Sequence, residues 1–278
     1  MGSLGLTLVL LGASLTPQFS YDQLFSVQRQ PRGVRIEITP FYQWMFGSTR
    51  VDEFSQVGSQ LSLSRDLGMK NTLGMKGSLG TRLRHWLFEI QGLWYPFRGK
   101  GRLPYTVAYD EALLPAQIPF QVEGSFTQIQ GQVGYSLSFQ KNSFQISPFF
   151  GIEYTQFSLG LRSRAGPSSS EYYGQFLPYP ILGIEMEKEW SCFSISMQAE
   201  GTFFQNWSTF QEEGGTLKMS ISEFRFQCKV TFFISSFAAW YIGGRIWFFQ
   251  SRLYSPREDD NRFHLWSPAL LFGMVIGL

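Results

Sequence analysis

Phe224-Arg225-Phe226-Gln227-Cys228-Lys229-Val230-Thr231-Phe232 puts Phe224, Phe226, Cys228, Val230 and Phe232 on one face of an extended chain, and Arg225, Gln227, Lys229 and Thr231 on the other. A period of two marks a strand whose two faces meet different surroundings. The polar face holds charges that a dry core would reject. About ten such stretches follow one another with no helical period between them. A closed sheet that is oily outside and wet inside is an all-β, transmembrane, antiparallel up-and-down β-barrel.

Working outward from that strand, parity assigns the rest. Val34 to Phe46 turns Val34, Ile36, Ile38, Tyr42 and Trp44 outward and Arg35, Glu37, Thr39 and Gln43 inward. Leu73 to Leu83 carries Lys76, Ser78 and Arg82 inside, and after a tight turn at Arg84-His85, Trp86 to Phe97 carries Glu89 and Gln91. Phe126 to Phe139 points Gln128, Gln130, Gln132, Ser136 and Ser138 inward, and Phe144 to Leu159 adds Glu153. Phe176 to Glu187 contributes Glu185 and Glu187, and Cys192 to Phe203 contributes Gln198 and Glu200. Leu217 to Phe232 contributes Glu223, Arg225 and Lys229, Phe237 to Gln250 contributes Arg245, and Phe263 to Leu278 closes the set.

The connections alternate in length. Residues 47–72, 98–125, 160–174, 204–216 and 251–262 read as long loops, and 84–85, 140–143, 188–191 and 233–236 as short turns. That alternation, with both chain ends on the short-turn side, suits an outer-membrane barrel of ten strands. Twelve is the next count, if residues 59–64 pair separately. A soluble sandwich would instead place the apolar face in its core. Against that stand the bulky aromatics near strand ends, Trp44, Trp86, Trp94, Trp240, Phe248 and Trp266, positioned as interfacial girdles are.

Aromatic residues make up 17% of the 278, charged residues 16%, and the net charge is +2, too small to argue for nucleic acid. Residues 1–20, with the apolar run Leu4 to Ala13, read as a signal peptide without its usual basic start. Residues 21–33 then form a periplasmic segment and 34–278 one barrel domain. Parity turns Cys192 inward and Cys228 outward, so the two cysteines are expected to stay unpaired.

The last strand alternates Leu270, Phe272, Met274, Ile276 and Leu278 with Leu271, Gly273, Val275 and Gly277. This resembles the C-terminal strand signature of Gram-negative bacterial outer-membrane β-barrel proteins, although those usually finish in an aromatic residue. The resemblance spans residues 34 to 278 at the level of architecture, with no specific family motif. It implies export to the outer membrane, recognition by the barrel assembly machinery, and contact with outer-membrane lipid, including lipopolysaccharide.

The inward charges are then Arg35, Glu37, Lys76, Arg82, Glu89, Glu153, Glu185, Glu187, Glu200, Glu223, Arg225, Lys229 and Arg245. Mixed signs suit a lumenal salt-bridge network, and the alternative is a narrow polar channel. A surface-binding or adhesion role for the external loops is the competing function. An outer-membrane protease would need Asp and His at the external rim, where His264 lies near Asp259 and Asp260, while His85 falls at the opposite end. No activating third group accompanies His264, so no catalytic residue is assigned. No spacing of Cys or His suits a metal and no glycine-rich loop suits a phosphate, so no cofactor is expected. Leu103 to Glu123 would constrict the lumen, extend its strands above the membrane or meet a partner. Arg162, Arg164, Arg252, Arg257 and Arg262 lie near the outer rim, within reach of lipopolysaccharide phosphates.

Overall fold

The computed structural model describes residues 33–50, 52, 58–103, 105–109, 112–139, 143–163, 169–212, 215–254 and 260–277. Ten long strands form the wall: β1 (Val34–Trp44), β2 (Asn71–Leu83), β3 (Trp86–Arg102), β4 (Pro119–Tyr135), β5 (Phe144–Ser163), β6 (Ser169–Glu189), β7 (Phe193–Glu212), β8 (Gly215–Phe233), β9 (Ala238–Tyr254) and β10 (Asp260–Gly277). Each pairs antiparallel with its sequence neighbours, and β1 pairs with β10 to close the ring. Closure pairs each strand with both neighbours through the lower wall, the condition for a sheet to stand in lipid. β6 and β7 pair with each other only over Leu182–Glu189 and Ser194–Gly201 among the described residues.

The register shows how the ring is tilted. From Val34 the paired residues run Thr81, Phe88, Val133, Phe150, Leu182, Gly201, Phe224, Phe248, Trp266, and return to the first wall at Phe46. One circuit climbs about twelve residues, a shear that inclines the strands and widens a ten-stranded barrel enough to hold side chains. All but two of these residues, Thr81 and Gly201, are large and apolar, so this spiral traces the oily outer surface. Leu73, Leu182 and Phe203, at 65–70% exposure, are the most exposed large residues on that surface.

The long loops expected at one end are mostly strand. β3 continues to Arg102, β4 starts at Pro119, β5 reaches Ser163, and β9 and β10 reach Tyr254 and Asp260. Backbone hydrogen bonding persists because the hairpins keep pairing well past the point where the wall leaves the apolar belt. Phe46–Arg50 continues β1 upward along β10, from Phe46 opposite Trp266 to Arg50 opposite Arg262. On its other side it pairs only with Leu61–Ser62, so residues 59–64 do pair separately but add no barrel strand. Two glycines permit this corner. A side chain on Gly47 (φ 137°) would strike the His264 carbonyl, and one on Gly68 (φ 67°) the Lys100 carbonyl. The tight turn at Arg84-His85 joins Leu83 to Trp86 directly, with Arg84 at φ 58°.

Residues 1–32, with the expected signal peptide, and Leu278, the last residue of the expected assembly signal, lie outside the described residues, as do Arg164 and Arg257. Cys192 is exposed in a turn and Cys228 half-buried on β8, and both are free thiols.

Candidate functional site

The barrel interior is where polar and apolar chemistry converge, and it divides into three tiers. Parity alone describes a lumen that is polar throughout. The structure corrects that expectation, because the tier farthest from the short turns is apolar.

The middle tier is built on Arg225 of β8. Its guanidinium contacts Glu153 of β5, lies 3.0 Å from Glu200 of β7 and lies 3.2 Å from Glu223 on its own strand. The four side chains are nearly dry, at 8%, 0%, 7% and 0% exposure. Further donors satisfy the carboxylates. Gln128 Nε2 donates to Glu153 at 2.6 Å, the Tyr179 hydroxyl lies 2.5 Å from Glu153 and 3.0 Å from Glu223, and Trp247 Nε1 donates to Glu223 at 2.7 Å. Gln130 and Gln198 reach Glu200 at 3.2 and 3.4 Å. Six strands, β4 to β9, are thereby tied across the lumen rather than along the wall. Such a cluster is strongly coupled, since removing one member leaves buried charge uncompensated.

Arg245 and Lys76 differ from Arg225. Arg245 is buried, donates to Gln43 Oε1 at 3.1 Å and lies over the rings of Phe41 and Trp247, 4.8 and 5.7 Å from their centroids. Lys76 faces the same small cavity of about 20 Å³ as Arg245, Arg225 and Glu200. That volume admits roughly one water.

The lower tier lies toward the short turns. Glu37 accepts from Arg35 at 2.7 Å and from the Tyr241 hydroxyl at 2.6 Å, and lies 3.4 Å from Lys229. Glu89 accepts from Gln132 at 2.8 Å, and Arg82 donates to Ser136 at 2.7 Å and to Gln145 at 3.2 Å. Glu89, Glu185 and Glu187 line a vestibule of about 140 Å³ beside Arg35, Arg82 and Lys229. It is bounded by residues 235–238 and Gly33, at the short-turn end.

The upper tier is packed shut. Phe126 stacks on Tyr95 (5.3 Å between centroids) and meets Trp247 and Phe249 edge-on at 4.8 and 5.7 Å. Phe157 lies 4.2 Å from Phe263 and 5.6 Å from Phe97. Leu61, Leu63, Leu67 and Met69 are buried in the same core, as are Leu103, Val107, Leu114, Phe120 and Val122. Within the segment 103–123, the residues from Pro119 on extend β4, and Leu103, Val107, Leu114, Phe120 and Val122 fill the interior.

The interfacial aromatics sit outside at two levels. Trp86 and Trp240 are exposed near the short turns, and Trp94, Phe248 and Trp266 are exposed higher up. Trp44 is half-buried against Tyr42, edge-on at 4.9 Å. Leu270, Phe272 and Met274 are exposed on the outer face of β10, and Ile276 is half-buried there.

Above the upper belt the outer surface turns polar. Arg252 Nε donates to Asp260 at 2.6 Å, and Arg262 grips the same carboxylate. Burial alone would raise the Asp260 carboxyl, but the hydrogen bonds from Arg262 and then Arg252 outweigh it and hold the group at about 2. Arg50 donates to Asp52, and Arg98 lies 3.8 Å from Glu123. His264 is half-buried beside Ser48 and Gln250, on the side of β10 opposite the buried Phe263 and Leu265. Among the described residues no group of three His, Cys, Asp or Glu could hold a metal ion.

No protein-family model matches the chain, and no curated protein matches it by sequence. Solved structures do resemble it. The outer membrane protease OmpT from Escherichia coli superposes with a TM-score of 0.55 at 11% identity, over 89% of this chain and 97% of that one. The transport unit of the autotransporter AIDA-I from Escherichia coli gives 0.41 at 10% identity, over 93% and 98%. The outer membrane protein OprG from Pseudomonas aeruginosa gives 0.39 at 10% identity, over 91% and 100%. The likeness to OmpT shows the fold: the chain is a closed ten-stranded β-barrel of the Gram-negative outer-membrane type.

Proposed function

We propose that this protein resides in the bacterial outer membrane as a sealed, salt-bridged barrel that carries a rigid β-structure above the bilayer. The observation that carries this reading is the upper tier, where Tyr95, Phe126, Phe157, Trp247 and Phe249 fill the ring at 0–1% exposure. A conducting lumen needs a continuous wet path, and a packed aromatic layer above a paired-charge layer opposes one. On this reading the short-turn end is periplasmic, the thirteen inward charges brace the wall, and β10 is the strand offered to the barrel assembly machinery. The role left for the protein is structural or surface-binding, through the wall that continues above the membrane.

A specific observation favours a surface contact with lipid. Ser220, Arg252, Arg262 and Arg50 face one another in register across β8, β9, β10 and the continuation of β1, just above Phe46 and Trp266. Their two carboxylate partners, Asp260 and Asp52, leave the row with a net positive charge. Guanidinium groups at that height match lipopolysaccharide phosphates in geometry and charge.

Conductance of the refolded barrel in a planar bilayer at two salt concentrations tests the sealed reading. The expected record is an inserted barrel without discrete steps. Steps that scale with salt would mean that the aromatic tier opens, and the channel reading would replace this one.

A further inference from the structure

Above Leu182 and Gly201 two neighbouring hairpins part company. β6 stays paired with β5 up to Ser169, and β7 with β8 up to Glu212. Between β6 and β7 the ladder stops at Leu182–Gly201, so residues 169–181 and 202–212 present strand edges with no rung between them.

The sequence supplies the reason. Glu189 N–H donates to the Ser143 carbonyl on the β5 side, and Trp190 N–H to the Phe193 carbonyl on the β7 side. Successive residues of a strand turn their backbone groups to opposite neighbours, so in this stretch of β6 the even-numbered residues face β7. The bonding pairs are then Lys188–Ile195, Met186–Met197, Ile184–Ala199 and Leu182–Gly201, and the next would set position 180 against Phe203. Position 180 is proline, which has no N–H to give. The ladder ends at the rung whose donor is missing.

The opening has a height and a lining. The row of pairs through Leu182 and Gly201 runs on through Phe224 to Phe248 and Trp266 at the upper aromatic level. Leu182 and Phe203, the two most open apolar side chains beside it, form its outer lip. Inside, Thr202 and Phe204 point inward yet are only half-buried, whereas their β8 partners Glu223 and Ile221 are 4% and 0% exposed. That inner surface is reached from the β6 side.

We propose that the opening held by Pro180 takes one acyl chain of an outer-leaflet lipid, laid against Thr202, Phe203 and Phe204. Its acyl carbonyl accepts from the Phe203 N–H, which meets no β6 partner. The proposal rests on the membrane placement of the barrel and is independent of its sealed lumen. An unpaired edge bordering hydrocarbon costs free energy until something covers it. An alkyl chain asks nothing of the β6 edge, whereas a guest peptide strand would find no donor at Pro180.

The test is to refold the full chain into phosphatidylcholine vesicles doped with phosphatidylcholine that carries a photoactivatable diazirine on its acyl chain. After irradiation, peptide mass spectrometry locates the label. Ile90 and Ile152, exposed on the outer wall, should be labelled by any surrounding lipid. Label on the inward-facing Thr202 and Phe204 is the expected signature of a chain in the opening. Pro180→Val restores the N–H and the rung to Phe203, so that label should fall about fivefold while Ile90 and Ile152 keep theirs. Should Pro180→Val fail to refold, Pro180→Ala carries the same test. Thr202 and Phe204 unlabelled beside labelled Ile90 and Ile152 would overturn the proposal and leave the membrane reading intact. A guest strand or a second copy on this edge would give that result. Label unchanged in the variant that folds would overturn it too. Ile90 and Ile152 unlabelled would overturn the membrane reading and this proposal with it.

Discussion

Between the two aromatic levels the barrel is apolar outside and charged inside, and above the upper level it is the reverse. On β4, Ile129 and Val133 face out while Gln128 and Gln130 face in, yet a few residues earlier Glu123 faces out while Phe120 and Val122 face in. On β5, Ile152 is out and Glu153 in, then Arg162 is out and Leu159 and Leu161 in. On β9, Ile246 is out and Arg245 in, then Arg252 is out and Leu253 in. Along these three strands the pleat keeps its phase and only the occupants of its two faces exchange, while the β5–β6 and β7–β8 pairings carry register shifts near Thr155 and between Phe204 and Phe210. The same strands thus wall a membrane barrel in their lower half and a polar-surfaced, oil-filled structure in their upper half. The solvent outside decides which face holds the oil.

The middle of the lower half offers the sharpest break. Arg225→Ala leaves Glu153, Glu200 and Glu223 facing one another without their shared cation. Losing one partner of a buried ion pair costs about 3–5 kcal/mol, and three carboxylates place this variant at the upper end. Reversible unfolding from lipid vesicles should show that loss or a failure to fold at all. A loss under 1 kcal/mol would mean that the tier is hydrated rather than dry.

The upper half answers to packing instead. Phe126→Ala opens a cavity between Tyr95, Trp247, Phe157 and Phe249, and large-to-small changes of this kind cost roughly 3–5 kcal/mol. The loss should be indifferent to ionic strength, in contrast to any variant on the charged outer rim. Denaturation midpoints at low and high salt separate the two.

The sequence made the lower half legible and concealed the upper half. The alternation of 224–232 reveals a period, and a period locates the faces of a strand wherever its environment is constant. It assigned Glu37, Glu153, Glu200 and Arg225 to the interior, where they lie at 0–8% exposure. It does not say where lipid ends. Residues 98–125 looked like a loop because Arg98, Lys100, Gln121 and Glu123 break the apolar outer face, although Phe97, Phe120 and Val122 keep the period of two. The exchange of faces at Phe126 was readable as a phase-preserving swap, a different event from the loss of pattern that marks a turn. The contribution of 61–69 to the core is harder to read. Leu61, Leu63, Leu67 and Met69 keep a spacing of two, but Arg65 interrupts it and only Leu61–Ser62 is strand, so the alternation does not reveal that the segment folds inward.

The swap predicts opposite tolerance to an outward charge. Leu182→Arg places a guanidinium at mid-wall on a side chain that is 65% exposed, and a cation near the bilayer midplane costs about 2–4 kcal/mol. Gln121→Lys puts the same sign on the outer face of β4 above the belt, where the change should stay within about 0.5 kcal/mol. Refolding yield into vesicles reads both. Equal penalties would erase the boundary between the halves, and a penalty confined to Leu182→Arg would place the bilayer edge between the two positions.

The smallest expected effect belongs to the rim, where the upper half meets water. Asp260 has a folded pKa of about 2, below the ordinary 3.8, so the rim gains stability from it above pH 4 and loses that gain as pH falls through 2. Asp260 is only 17% exposed, but its partners Arg252 and Arg262 are open to solvent and salt, so the change should be local and modest. Hydrogen exchange at Leu253 and Asn261, paired across β9 and β10 beside this carboxylate, should quicken between pH 4 and pH 2 once the intrinsic exchange rate is divided out. Phe248 and Trp266, paired lower on the same two strands, should show no such change. If both pairs loosened together, the hairpin would be one cooperative unit with the membrane wall, and the two halves would differ in polarity but not in stability.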